Sequence, residues 1–263
     1  MKFPTGSVLI LGVLVCTAAS PARALPESEA TAGRLVARRY AEAVVGVKGS
    51  MFMNFTIGLQ TLPPTERKFD VGGTVIEASG LTMTSLSSLD PRAVFESMRS
   101  QMKTGIEPIE LGKAEYKNLR LRLADGAEIP AKIVWKDADH DLVLLMPTGA
   151  TASNRTFIFV DLNQAAPSAS VLGDYYQLSR TGEEFQRALM VRPSTVMGII
   201  ERPRRLFLVS TDIFPDGLGC PVFDPEGRVL GISLHYMEKG LPKDAVLVPA
   251  SDLATIIAQA SPN

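Results

Sequence analysis

Residues 71–86 read VGGTVIEASGLTMTSL, two short apolar runs that break at Ser79–Gly80, and residues 119–135 read LRLRLADGAEIPAKIVW, in which leucine and arginine alternate up to Asp125–Gly126. Alternation at period two marks a strand with one buried face, and Asp–Gly between two such runs marks a hairpin. A further hairpin is set by Asp224–Pro225–Glu226–Gly227, which joins PVF to RVLGISL with proline and glycine in the second and fourth places of a type I turn. Helical spacing is rarer. It predicts a polar helix before residue 40, a helical insertion from Pro91 to about Lys103 with Val94, Met98 and Met102 on one face, and a closing helix. In that last element Leu253, Ile256, Ile257 and Ala260 share a face and Ser251 is the expected N-cap. Many short strands without a repeat of about 20–50 residues predict an all-β barrel or sandwich rather than an α/β sheet.

Composition narrows this further. The chain has 263 residues, 46% of them hydrophobic, enough for a substantial core, and a formal charge of -1. So balanced a charge offers no field for nucleic acid or anionic lipid, which leaves peptide or protein segments as the expected partners. No cofactor is implied. The start, MKFPTGSVLILGVLVCTAASPARA, places Lys2 before an apolar run from Val8 to Ala19 and then Ala22–Arg23–Ala24, the form of a signal-peptidase site. It predicts a signal peptide over 1–24 and export to the periplasm or extracellular space, without stable membrane insertion afterwards, since the apolar run falls short of the ~20 residues of a spanning helix. A lipid anchor at Cys16 is disfavoured by the bulk of Val15. After cleavage Cys220 is the remaining cysteine, so no disulfide framework is expected. The expected organisation is a polar helical segment over 25–39 and one domain over 40–263. Its first half runs from about 40 to 147, a connection covers 148–168, and the second half with the closing helix covers 169–263.

Gly72–Gly73–Thr74–Val75–Ile76 followed by Thr84–Ser85–Leu86–Ser87–Ser88 resembles the G-S-G-x-V-I and T-N-x-H-V motifs of the HtrA/Deg-type branch of chymotrypsin-like serine peptidases. Asp137-Ala138-Asp139-His140-Asp141-Leu142-Val143-Leu144 repeats the spacing of that family's D-P-x-x-D-L-A-V-L. Asp216-Gly217-Leu218-Gly219-Cys220-Pro221-Val222, with Gly227 and Gly231–Ile232 beyond it, falls on G-N-S-G-G-P-L and the strand that follows. The resemblance implies a trypsin-like double six-stranded antiparallel β-barrel with a C-terminal helix; a PDZ domain after it is not expected, because the chain stops there. It also places the catalytic histidine at Ser87, the aspartate at Asp141, the serine at Leu218 and an oxyanion glycine at Asp216.

A serine hydroxyl attacks a carbonyl only when an imidazole takes its proton and a carboxylate holds that imidazole in the right tautomer. Leucine has nothing to attack with, Ser87 is no base, and the Asp216 carboxylate would repel a developing oxyanion. The implied protein is an exported, catalytically inactive peptidase homologue that binds peptide segments in the old cleft, through Gly231, Ile232, Ser233 and His235. The alternatives are an active endopeptidase with a divergent, serine- or Cys220-dependent site, and a structural envelope component. Read as a strand, the run around His140 turns it away from Asp141, which argues against a metal site. Cys220 reads as a core residue, and Glu201–Arg205 as a solvated hairpin end.

Overall fold

The computed structural model describes residues 26–100, 109–210 and 217–260, so the expected signal peptide, Met102 and Asp216 lie outside the described residues. Helix α1 (Glu27–Tyr40) opens the described chain, with Glu27 and Glu29 in its first turn and Arg38 and Arg39 in its last, charges that complement the helix dipole. Gly33, Val36 and Tyr40, spaced three and four apart, form its buried face.

That face docks on the second half of the chain. The Tyr40 ring stacks on Phe223 at 4.4 Å, its hydroxyl donates to Gly227 O at 3.2 Å, and a Cβ at Gly33 would lie 3.1 Å from the Tyr176 ring. Arg180 ties down the next stretch, donating from Nη2 to Ala41 O and from Nε to Val44 O, each at 2.7 Å.

The first sheet comprises β1 (Val44–Ile57), β2 (Gln60–Thr61), β3 (Thr65–Val75), β4 (Thr82–Ser85), β5 (Ile109–Arg122), β6 (Glu128–Asp137) and β7 (Leu142–Pro147). Its order is β2-β1-β3-β4-β7-β6-β5, and β1 also pairs with β5, so the pairings from β1 through β3, β4, β7, β6 and β5 return to β1. Val45, Val47, Met51 and Met53 of β1 point inward at period two onto Leu121, Ile129, Val143 and Leu145. Helix α2 (Pro91–Ser100) is the expected insertion, and its Phe95 stacks on Phe55 at 5.8 Å.

The chain then passes through α3 (Ala150–Ser153) and a stretch held against both halves. Phe157, Val160 and Leu162 are buried, Val160 N–H donates to Val75 O at 2.9 Å, and Ala166 N–H donates to Val229 O at 2.8 Å. The second half is a closed barrel of β8 (Asp174–Arg180), β9 (Leu189–Ile200), β10 (Leu206–Val209), β11 (Pro221–Phe223), β12 (Val229–Glu238) and β13 (Leu241–Pro249), ordered β10-β13-β12-β11-β8-β9.

Helix α4 (Ala250–Ala260) follows β13 directly. It starts two residues earlier than expected, which puts Ser251 inside the first turn, where its Oγ contacts Asp252 Oδ1 at 3.2 Å, rather than at the N-cap. Met83, Leu142 and Leu144 from the first half share one apolar cluster with Leu178, Ile232 and Leu234 from the second and with Val36 and Leu253 from the helices. No helix among the described residues is long and apolar enough to cross a membrane.

Candidate functional site

Asp141 closes the turn between β6 and β7, with φ +56°, a left-handed conformation that aspartate tolerates better than most side chains. The sequence pattern placed 137–144 on a strand; the chain instead turns through 138–141. The strand reading around His140 is corrected accordingly. Its Nδ1 lies 2.7 Å from Asp137 Oδ2, while Asp137 Oδ1 accepts the N–H groups of Asp139 and His140 at 2.9 and 3.2 Å. Among the described residues no three His, Cys, Asp or Glu side chains gather as a metal site requires.

The Asp141 side chain is 0% exposed and is held by donors from both halves of the molecule. Oδ1 accepts the Ser87 N–H at 2.6 Å, and Oδ2 accepts Ser85 Oγ at 2.6 Å and the backbone N–H of His235 at 2.7 Å. These three hydrogen bonds replace the hydration that a carboxylate this deep gives up.

Ser87 and Asp141 therefore meet as the resemblance implied, and an imidazole stands beside both. His235, 148 residues further along, places Nδ1 2.7 Å from Ser87 Oγ and 3.6 Å from Asp141 Oδ2. Its side chain is 23% exposed and Ser87 is 7% exposed. Burial pushes the imidazole pKa below its ordinary 6.5, against the opposing pull of Asp141 and Asp244, so the ring is neutral near neutral pH.

Ser85 Oγ donates to Asp141, accepts from Ser88 Oγ at 3.2 Å and lies 3.1 Å from Ser87 Oγ. With the His235 hydrogen on Nε2, Nδ1 accepts from Ser87 Oγ; with it on Nδ1 the roles reverse and Ser87 donates to Ser85 Oγ. This is not a relay of the family type, because serine and aspartate both address one nitrogen instead of opposite sides of the ring.

Leu218, at the position where the family has serine, is 6% exposed. It precedes Gly219, whose φ of +75° and close surroundings admit no side chain: a Cβ there would lie 2.6 Å from Gly72 O and from Thr84 Oγ1. Gly219 O accepts Thr74 Oγ1 at 2.7 Å and its N–H donates to Ser233 O at 2.7 Å, so this turn is wedged between the two halves. Gln177 Nε2 supports it from β8, donating to Gly217 O at 3.2 Å and Ser233 Oγ at 2.8 Å. Cys220 is fully buried within the shared apolar cluster.

The expected peptide-binding role of Gly231, Ile232 and Ser233 is corrected, because both edges of this stretch are already used. Gly231 pairs with Val222 and Pro249, Ile232 pairs with Pro221 and Val248, and Ser233 N–H donates to Cys220 O at 3.0 Å. Glycine at 231 serves close strand approach instead, since a Cβ there would collide with Val248 O. The pairing with β11 stops at this point. Among the described residues, β12 from Leu234 to Glu238 pairs with β13 alone, and on its other edge the first bond is His235 N–H to Asp141.

The Glu201–Arg205 run borders that edge. Arg204 Nη1 donates to Asp139 O at 2.7 Å and its guanidinium stands 5.7 Å from the Tyr236 ring centroid, so the run contributes a contact between the two halves rather than only a solvated turn.

The model of one family, described as trypsin-like peptidase domain, matches residues 72–232. No curated protein sequence matches. Among solved structures, Deg5 superposes with a TM-score of 0.55 at 17% identity, covering 89% of this chain and 94% of its own. The MamO protease domain from Magnetospirillum magneticum gives 0.50 at 16% identity over 86% and 98%. An inactive serine-to-alanine mutant of Rv3671c from M. tuberculosis gives 0.51 at 14% identity over 88% and 92%. At these identities the likeness concerns the fold.

Proposed function

Because the chain belongs to the family of trypsin-like peptidase domains, we propose that it is an exported member that does not cleave peptide bonds and instead captures extended segments of other proteins along the open edge of β12. The observation that carries this reading is the stretch Tyr236–Glu238, which beyond the His235–Asp141 bond pairs, among the described residues, on its β13 edge only, in a chain whose nucleophile position is Leu218. An extended segment adds to such an edge through backbone hydrogen bonds, which need none of the catalytic side chains. Lys2, the apolar run Val8–Ala19 and Ala22–Arg23–Ala24 support export to the periplasm or extracellular space.

Leu218 carries no hydroxyl, and Asp141, committed to backbone N–H groups, keeps the two halves together whether or not chemistry occurs. The test is capture of extended peptides from a library by the purified protein, followed by amide hydrogen exchange. Slower exchange confined to 234–238 is the expected result. Release of casein fragments would overturn the non-proteolytic part of the reading. Absence of capture, or protection elsewhere only, would overturn the binding part.

A further inference from the structure

We propose that Ser87 is itself a nucleophile, activated by His235, and that it accepts the acyl group of small activated esters. This is independent of peptide capture, which uses the backbone of β12 rather than these two side chains.

The geometry supplies a nucleophile, a base and a counter-charge. Ser87 Oγ lies 2.7 Å from His235 Nδ1, within reach of direct proton transfer, and in the tautomer with its hydrogen on Nε2 that nitrogen is the acceptor. When the proton arrives, the imidazolium has Asp141 Oδ2 at 3.6 Å to offset its charge. The carboxylate is itself fixed by three donors, so it does not have to reorganise. Ser87 keeps 7% exposure beside the half-buried ring, a narrow approach that favours small acyl donors over folded or extended chains.

Esters fit better than amides for a second reason. One nitrogen must both take the serine proton and return it to the leaving group. An alkoxide or phenolate departs with far less help than an amine does.

The step balances as follows in atoms and charge. A bond forms from Ser87 Oγ to the acyl carbon while the hydroxyl proton moves to Nδ1. The ester C–O bond then breaks and the departing oxygen takes that proton. Water, deprotonated by the same nitrogen, attacks the acyl-serine and releases the acid, regenerating the hydroxyl.

The test uses a fluorophosphonate with the purified protein and peptide mapping by mass spectrometry. In that reaction the Oγ–P bond forms, P–F breaks, fluoride leaves and the proton passes to Nδ1. The expected adduct is on Ser87, absent in Ser87→Ala, retained in Ser88→Ala, and slowed at least about tenfold in His235→Gln, in keeping with the usual size of general-base assistance. His235→Gln keeps the backbone N–H that holds Asp141. Should that variant fail to fold, the wild-type rate over about pH 5 to 8 decides instead, because it must fall on acidification as the ring takes a proton. The charged groups acting on the ring are Asp141 in the β6–β7 turn and Asp244 on β13. A protein without an adduct at Ser87, or a Ser87 rate indifferent both to His235→Gln and to pH, overturns the proposal.

Discussion

Ser87 Oγ and His235 Nδ1 meet at 2.7 Å, although the two residues come from different halves of the molecule. Asp141 makes the meeting possible, because its carboxylate holds the backbone N–H of both. A buried acid that fastens two backbones is a structural bolt first, whatever chemistry its neighbours perform.

Replacing Asp141 tests that role. Asp141→Asn removes a buried charge from three donors and turns an amide N–H toward one of them. Hydrogen bonds to charged groups contribute about 1.5–3 kcal/mol each, without simple additivity. Denaturant unfolding should show a loss of about 3 kcal/mol, and a loss below about 1 kcal/mol would show that the bolt is dispensable.

Acidification acts on His235. Its pKa is held below 6.5 in the folded protein by burial, so the unfolded chain binds the proton more readily. The neutral ring's contribution to stability is complete above 6.5 and is lost as pH falls from there through the lower folded value. The melting temperature should fall over that window in the wild type and fall less in His235→Gln. Equal slopes would remove His235 from the acid response.

Restoring the family's serine alone should not restore proteolysis. Leu218→Ser supplies a hydroxyl, yet Ser87 still stands at the histidine position and the one imidazole nearby is engaged by Ser87. Casein digestion should remain at the level of the buffer blank; measurable cleavage would mean that His235 can turn to serve residue 218.

Glycines separate by their surroundings. Gly231→Ala should cost more than about 2 kcal/mol, as overpacking a closed contact typically does, because the new methyl meets the Val248 carbonyl. Gly126→Ala should cost about 1 kcal/mol, since φ is +84° there but nothing lies within 4 Å. Similar losses in chemical unfolding would contradict the close-approach reading of β12 and β13.

Much of the fold was legible because its determinants are local. Alternating residues on either side of Asp125–Gly126 form the β5–β6 hairpin, and the 3–4 spacing from Leu253 to Ile257 forms a helix with those residues buried. The order of the motifs brought Ser87 and Asp141 together correctly. The errors arose where the answer depends on neighbours distant in the chain. Whether Asp141 sits on a strand or in a turn depends on where β7 begins to pair with β4. Whether Gly231 has an open edge depends on how far β11 extends along β12. His235 stands four residues past Gly231 in a run without a motif of its own, and the bond from its backbone to Asp141 is what aims the ring at Ser87.

The docking of α1 carries a kinetic consequence. Tyr40 rests on Phe223, Gly33 on Tyr176, and the residues between α1 and β1 hang from Arg180, so the earliest helix finds its seat only after the chain's last strands exist. Contacts of such long sequence separation form late, because loop closure is spent before they stabilise anything. During synthesis or threading, the leading segment must therefore wait unfolded, available to a chaperone or a protease, until the final third of the polypeptide arrives to receive it.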